Sequence, residues 1–325
     1  MPERTPLYEQ EEQAGAVFCE EAGWLVPAHF GDPAGEYAAA RDAAAVFDVS
    51  HRGKVEVTGA DARSLLHNLC TNDIKNLPPG QHCEAFLTNH RARVIAHVFI
   101  HHRGQGEGRE LFLLDVAPGL AGQIVQHLEH FHISEDVEIA DRTGALAHLQ
   151  VTGASGTDLI VPREQAVEQW QRLIAAGVRP AGRHVHEILR IEAGMPAPGQ
   201  EIDADRFAPE LGRAAAISYT KGCYLGQEPI VMARDRGHVN RLLLGLKLSA
   251  GPAPRGARLF RDGKEVGQVT SSVRSPRLGP IALAFVQRGH QEPGTRLEVQ
   301  SAEGTQTAEV TPLPFSSPQR RTTAR

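Results

Sequence analysis

Lys221-Gly222-Cys223-Tyr224-Leu225-Gly226-Gln227-Glu228 sets one thiol among a cation, an aromatic ring, two glycines and a polar pair. An ammonium close to a cysteine favours the thiolate, the form that attacks electrophiles and binds metals. Gly222 and Gly226 have no Cβ, so the backbone can turn sharply there or approach a ligand closely. The continuation Gln227-Glu228-Pro229-Ile230-Val231-Met232-Ala233-Arg234 predicts a short helix, with Pro229 in its first turn and Gly237 as its C-terminal cap. Cys223 then lies just ahead of a helix N-terminus, whose dipole acts over about one turn. Without context the same residues equally describe a small buried thiol between two turn glycines.

Upstream of the octet, strands and helices alternate. Lys54-Val55-Glu56-Val57-Thr58 alternates as a strand, and Gly59-Ala60-Asp61 leads into a helix with Leu65, Leu66 and Leu69 on one face. Asn72 and Asp73 stand where that helix must stop. Strands are predicted at 85–87, 94–100 and 111–114, with Arg103-Gly104-Gln105-Gly106-Glu107-Gly108 as a flexible hairpin tip. His101 and His102 then read as polar surface beside it. A helix near 119–130, strands at 145–151 and 159–161, and a helix over 163–176 follow. Pro162 opens the last of these, Val167, Trp170 and Ile174 form its apolar stripe, and Gly177 ends it. In the next helical stretch Ile188, Ile191 and Met195 share a face, with Arg190 and Glu192 off it. Periodicity alone turns Glu192 to solvent.

After Asn240 the helical period vanishes. Short runs at 242–248, 258–260, 265–272, 281–286, 297–300 and 307–310, separated by Gly and Pro turns, predict a closed or nearly closed β-barrel. The tail 316–325 is polar and basic and is expected to be disordered.

Composition narrows the class. The 325 residues suggest two or three domains. A net charge of −5, from 34 basic and 39 acidic residues, argues against bulk nucleic-acid or membrane binding. No apolar run is long enough to span a membrane, and the acidic N-terminal stretch is unlike a secretory signal. Cys19, Cys70, Cys83 and Cys223 form no C-x-x-C pair, which suits a reducing cytoplasm and argues against a protein-held cluster. His127, His130 and His132 gather at a helix end without a carboxylate or cysteine to complete a metal set, and Gly104, Gly106 and Gly108 lie between strands, where no phosphate loop forms.

The octet resembles the K-G-C-Y-x-G-Q-E motif of the YgfZ family, folate-binding proteins that assist iron–sulfur cluster assembly or repair. That family is related to the T-protein, the aminomethyltransferase of the glycine cleavage system. Arg190-Ile191-Glu192-Ala193-Gly194 is similar to the R-x-E-A-G segment of both families. Phe47-Asp48-Val49-Ser50-His51 and Thr71-Asn72-Asp73-Ile74 resemble the T-protein's D-x-S-H and T-N-D-[IV] segments. Gly263-Lys264-Glu265-Val266-Gly267-Gln268 and Ile281-Ala282-Leu283-Ala284-Phe285-Val286 resemble strands of its C-terminal barrel. The likeness runs from about residue 20 to about residue 315.

It implies an α+β fold: a T-protein-like folate-binding module over 1–240, with a ferredoxin-like subdomain near 52–140, and a C-terminal β-barrel over 241–315. It implies tetrahydrofolate or a one-carbon derivative as cofactor, with Glu192, Arg190, Asn89, Tyr224, Gln227, Glu228 and Arg234 as binding residues. Glu192 would accept pterin N–H groups in a central cavity. Arg234 and Arg236 either pair with the folate's glutamate tail or form an ordinary solvated helix face. Cys223 and Lys221 are the reactive pair, and iron–sulfur client or assembly proteins are the expected partners.

One departure separates the two relatives. The T-protein carries L-N-x-x-G-G-V-I-D-D, whose first aspartate its folate chemistry needs. In the matching stretch, from Leu87 to His97, Ala96 stands at that aspartate. A methyl group can neither hold a proton nor hydrogen-bond an amine, which disfavours ordinary aminomethyl transfer. The alternatives are a folate-dependent aminomethyltransferase or demethylase using His97 or another carboxylate, and a non-catalytic folate-binding scaffold.

Overall fold

A computed structural model describes residues 1–315 apart from 107, 154, 155, 236, 238 and 303. The expected disordered tail, residue 107 of the hairpin tip and Arg236 lie outside the described residues. Within them the α+β architecture is as the motifs imply.

A five-stranded antiparallel sheet runs in the order His82–Thr88, Val94–Gly106, Arg109–Val116, Gly53–Gly59, Glu138–Asp141. Helices Ala62–Leu69 and Ala121–Phe131 roof one face, where Val57, Leu65, Leu66, Leu87, Val98, Leu114, Ile124 and Leu128 close a core. The strand expected over 94–100 continues to Gly106, so His101 and His102 lie inside it. They are not polar surface: their exposures are 9% and 1%. Burial pushes the His101 imidazole down to about 4, so it enters the interior uncharged at neutral pH. His102 stacks on Phe112 with ring centroids 4.6 Å apart.

A second sheet, ordered Thr157–Pro162, Leu146–Gly153, Ala44–Asp48, Arg179–Pro180, packs against the helix expected near 163–176. That helix begins as a 3-10 turn, Arg163–Gln165, and continues as Ala166–Ala175. Ala166 and Trp170 face the core with Leu173 and Val167, whereas Ile174 is 38% exposed. The true stripe therefore follows i, i+4, i+7 from Ala166, one step round from the expected one.

The six C-terminal strands are Arg241–Leu248, Arg258–Arg261, Lys264–Ser275, Gly279–Gln287, Arg296–Ser301 and Gly304–Thr311. They close a barrel in the order first, fourth, third, second, fifth, sixth, and the sixth returns to pair with the first. Its interior is filled by apolar side chains from all six strands, among them Leu246, Leu259, Val269, Ala284, Val299 and Val310. The barrel is thus a packed core with its cavity closed by side chains.

Where the barrel meets the rest of the chain, Leu243, Leu283 and Phe285 share a third core with Phe86, Val94, Leu211, Ala216, Tyr224 and Ile230. This junction holds the uncovered inner face of the five-stranded sheet, the octet and its following helix against the barrel. Among the described residues no helix is long and apolar enough to cross a membrane.

Candidate functional site

Lys221 does not spend its charge on Cys223. Its Nζ donates to the carbonyl oxygens of Cys70 at 2.9 Å, Asn72 at 2.7 Å and His67. These partners take all three donors of the ammonium. They lie at the C-terminal end of helix Ala62–Leu69, where a cation also meets the negative end of the helix dipole. Nζ sits 4.8 Å from the centre of the Tyr224 ring. Burial lowers the Lys221 pKa, opposed by the neighbouring Cys70, Asp73 and Cys83. The thiols within its field are Cys70 and Cys83; burial pushes both up, Cys83 to about 12. Cys223 itself is exposed.

The rest of the octet is stitched into place by segments distant in sequence. Gly226 has φ +82°, and a Cβ there would lie 2.6 Å from the Asn89 carbonyl oxygen and 2.7 Å from Thr88 Oγ1. Thr88 Oγ1 donates to the Leu225 carbonyl at 2.9 Å, and the Leu225 amide donates to Asn68 at 2.9 Å. Asn89 Oδ1 accepts from the amides of Arg91 and Arg93, at 2.9 and 3.0 Å, fixing a turn in which Ala92 takes φ +56°. Asn89 is therefore a turn former pressed against the octet. Tyr224 is 8% exposed, and its hydroxyl is enclosed without a hydrogen-bond partner. Burial, with Tyr219 and Cys70 nearby, pushes that phenol up to about 12.

The helix after the octet is Gln227–Asp235, close to its predicted span, and Gly237 follows at φ +100°. Gln227 and Glu228 occupy its first turn, with Glu228 exposed. Arg234 is on the surface, paired with Asp235 at 2.5 Å and stacked 5.2 Å from the Tyr219 ring.

Glu192 is not solvent-facing, as periodicity predicts, but 0% exposed. Its Oε1 accepts from Tyr37 Oη at 2.7 Å and from Ser275 Oγ, and Arg41 forms an ion pair with Oε2. One carboxylate thus joins the helices Pro33–Asp42 and Arg183–Glu192 to the third barrel strand. Arg190 is equally engaged: it donates to Glu187, Glu201 at 3.0 Å, Ser271 at 2.8 Å and the Met195 carbonyl. Both residues of the R-x-E segment are joints between the N-terminal part and the barrel. Nothing in the local sequence names Tyr37, Arg41 and Ser275 as the partners of Glu192.

Ala96, expected from the motif likeness to stand at the T-protein aspartate, faces the helix-covered side, fully buried against the apolar core and paired with Leu87. The residue that projects from this strand on the inner face is His97, between the rings of Phe86 and Phe99 at 5.2 and 5.3 Å. His97 Nε2 lies 2.7 Å from Glu84 Oε1, and Arg213 grips the same carboxylate from Nε at 2.7 Å and Nη2 at 2.6 Å. Burial opposes ionisation of Glu84, but the hydrogen bonds from His97 and Arg213 outweigh it and hold the carboxyl at about 2. Glu84 and Arg213 are absent from the expected site. The available signal was a lone acid inside an otherwise apolar strand run, Cys83 to Leu87.

Further along the inner face Arg52 donates to Asp115 at 2.8 Å, and His148 lies 3.4 Å from Asp158, whose carboxyl it helps hold at about 2 against burial. A cleft of about 290 Å³ opens there, lined by His82, His101, Arg103, Thr157 and Asp158 among others. Neither Glu192 nor Cys223 lines it.

Residues 7–160 match the GCVT N-terminal domain, and residues 241–316 match the glycine cleavage T-protein C-terminal barrel domain. The chain is 30% identical to an aminomethyltransferase of Saccharopolyspora erythraea, covering 97% of this chain and 98% of that protein. It is 27% identical to the aminomethyltransferase of Bacillus subtilis, covering 97% and 99%. Its fold is similar to the crystal structure of glycine cleavage system aminomethyltransferase T from Bartonella henselae, with a TM-score of 0.87 at 23% identity, over 97% and 98% of the two chains. Two domain matches in the right order and a 30% identical relative matched end to end make one conclusion: the chain belongs to the glycine cleavage T-protein family.

Proposed function

We propose that this member of the family binds tetrahydrofolate or a one-carbon derivative and serves iron–sulfur cluster assembly or repair, with Cys223 as its accessible thiol. The observation that carries the reading is Ala96. The resemblance sets it at the T-protein's aspartate; it is 0% exposed in the apolar core on the helix-covered face, so residue 96 itself offers a ligand no proton-holding group. The octet meanwhile presents Cys223 at the surface, where a cluster, a persulfide or a folate adduct on a client protein could reach it.

The residues present fit a folate in their chemistry. The Tyr224 hydroxyl is buried and unpartnered, a group that a pterin amide could satisfy, and the surface Arg234 would meet a carboxylate tail by exchanging its pairing with Asp235. Glu192 would meet the pterin by exchanging its contact with Tyr37 or Ser275 for one to the ligand. Bound tetrahydrofolate would supply a carrier for one-carbon units; the protein's part is to orient it and exclude water.

A second reading has its own support. The similar proteins are named aminomethyltransferases, which speaks more directly for folate-dependent aminomethyl transfer or demethylation than for cluster repair. His97 and Glu84 give the inner face a polar pair beside the missing aspartate. Two assays separate the readings. Replacing Cys223 by Ala in cells should lower the activity of cluster-dependent enzymes; unchanged activities would sink the first reading. Turnover of a methylamine donor by the purified protein with tetrahydrofolate would establish the second.

A further inference from the structure

The cleft of about 290 Å³ is lined by no residue that the folate reading uses. Its His101 lies four residues past His97 on the same strand, about 13 Å away. Two opposite charges line this cleft without pairing with each other. Asp158 is ionised, its carboxyl held at about 2, and both of its protein contacts, from His148 at 3.4 Å and Gln150 at 3.3 Å, fall on Oδ1. Oδ2 has no hydrogen-bond partner among the described residues, and the side chain keeps 28% exposure. Arg103 donates from Nη2 to the Ile160 carbonyl at 3.0 Å and forms no ion pair among the described residues. Ile160 follows Asp158 by two residues on strand Thr157–Pro162, so the guanidinium is anchored about 7 Å along that strand from the acid.

The rest of the lining forms hydrogen bonds. His82 and His101 stand opposite each other across the strand pair, with ring centroids 5.1 Å apart, and Gln81 and Thr157 add an amide and a hydroxyl. Burial leaves His101 uncharged at neutral pH. An anion alone would satisfy Arg103 and meet repulsion from Asp158, and a cation alone would meet the reverse. A small molecule carrying both charges satisfies both. An ammonium presents three donors to a carboxylate, and a carboxylate matches the guanidinium fork. The volume stands at the low end for ligand pockets, which restricts the occupant to a small molecule.

We propose that this cleft binds a free α-amino acid with a polar, uncharged side chain, its ammonium on Asp158 Oδ2 and its carboxylate on the Arg103 guanidinium. The side chain then meets the amide, hydroxyl and imidazoles of the remaining wall. The proposal is independent of the folate reading, since Glu192, Tyr224 and Cys223 all lie outside the cleft.

The test is calorimetric titration of the full-length protein with L-serine and with L-glutamine, each compared with its N-acetyl derivative, which lacks the ammonium, and its carboxamide, which lacks the carboxylate. The expected result is saturable binding of at least one amino acid with a Kd of about 1 mM or tighter. Both single-charge analogues should bind roughly tenfold or more weakly, the factor that a lost charge-assisted hydrogen bond carries. Arg103→Gln and Asp158→Asn should each weaken binding by a similar factor. Arg103 is exposed, so its variant keeps the question decidable if loss of Asp158 disturbs the packing of His148. Saturating tetrahydrofolate should leave the amino-acid affinity unchanged. Absence of saturable binding by both amino acids would overturn the proposal, as would equal affinity for the single-charge analogues or for a folded Arg103→Gln protein. Competition by tetrahydrofolate would overturn the independence of the two sites.

Discussion

The Lys221 ammonium donates to the Cys70 carbonyl at 2.9 Å, as it does to Asn72 and His67, and so closes the end of a helix that begins more than 150 residues earlier in the chain. The lysine of the octet is a structural cap, and the cysteine two residues on is free of it.

Removing that cap should cost stability. Lys221→Met leaves three carbonyls without their charged donor, and a charge-assisted hydrogen bond contributes about 1.5–3 kcal/mol. We expect a loss of ~3 kcal/mol in urea denaturation, with the rate of Cys223 alkylation in the folded protein unchanged. A large drop in that rate would restore the lysine to the thiol's chemistry.

Gly226→Ala meets a harder limit. Its φ of +82° disfavours any Cβ, and the added methyl would lie 2.6 Å from a backbone oxygen that cannot swing away. Left-handed strain of about 1–2 kcal/mol and overpacking of about 1–3 kcal/mol point to a loss of ~3 kcal/mol, measurable as a lowered denaturation midpoint.

The four thiols should separate cleanly. Cys223 is exposed, Cys70 is buried, and burial raises the pKa of Cys19, Cys70 and Cys83. Brief treatment of the native protein with iodoacetamide near neutral pH, followed by peptide mass mapping, should find label on Cys223 far ahead of the others. Comparable labelling of Cys83 would contradict the packing described for the sheet.

Two buried acids give opposite pH signatures. The Glu84 carboxyl is depressed in the folded state, to about 2 from 4.5, so its stabilisation is present above the unfolded value and is lost as pH falls toward 2. That corresponds to on the order of 3 kcal/mol, and Glu84→Gln should show a correspondingly shallower acid limb. Glu11 is raised well above the carboxylate range by burial and by Asp48. The folded state therefore binds the extra proton, and stability falls as pH rises above the unfolded value. Glu11→Gln should accordingly unfold at a higher temperature than the wild type at pH 8 and gain little at pH 4.

Much of the fold was legible because its signals are local. Gly and Pro turns spaced the barrel strands, and Leu65, Leu66 and Leu69 announced the face of their helix. The octet's helix was placed by its own proline and glycine. What escaped depends on contacts between distant segments. Glu192 reads as exposed by period and is buried because Tyr37, Arg41 and Ser275 converge on it from elsewhere. His101 and His102 read as surface because an imidazole's charge is not written in the sequence; once neutral, His101 tolerates a position only 9% exposed at the edge of a cleft. At Ala96 and His97 the outcome hung on a shift in strand register near Thr88, which decides which of the two faces inward.

The central claim, that this T-protein relative binds folate through the Glu192 joint while Cys223 serves a separate purpose, is tested most directly by calorimetry of tetrahydrofolate binding. Wild type, Glu192→Gln and Cys223→Ser proteins are compared, each first shown to be folded. The prediction is binding by the wild type, the same affinity for Cys223→Ser, and at least tenfold weaker binding for Glu192→Gln. No binding by the wild type, or unaltered binding by Glu192→Gln, would contradict it.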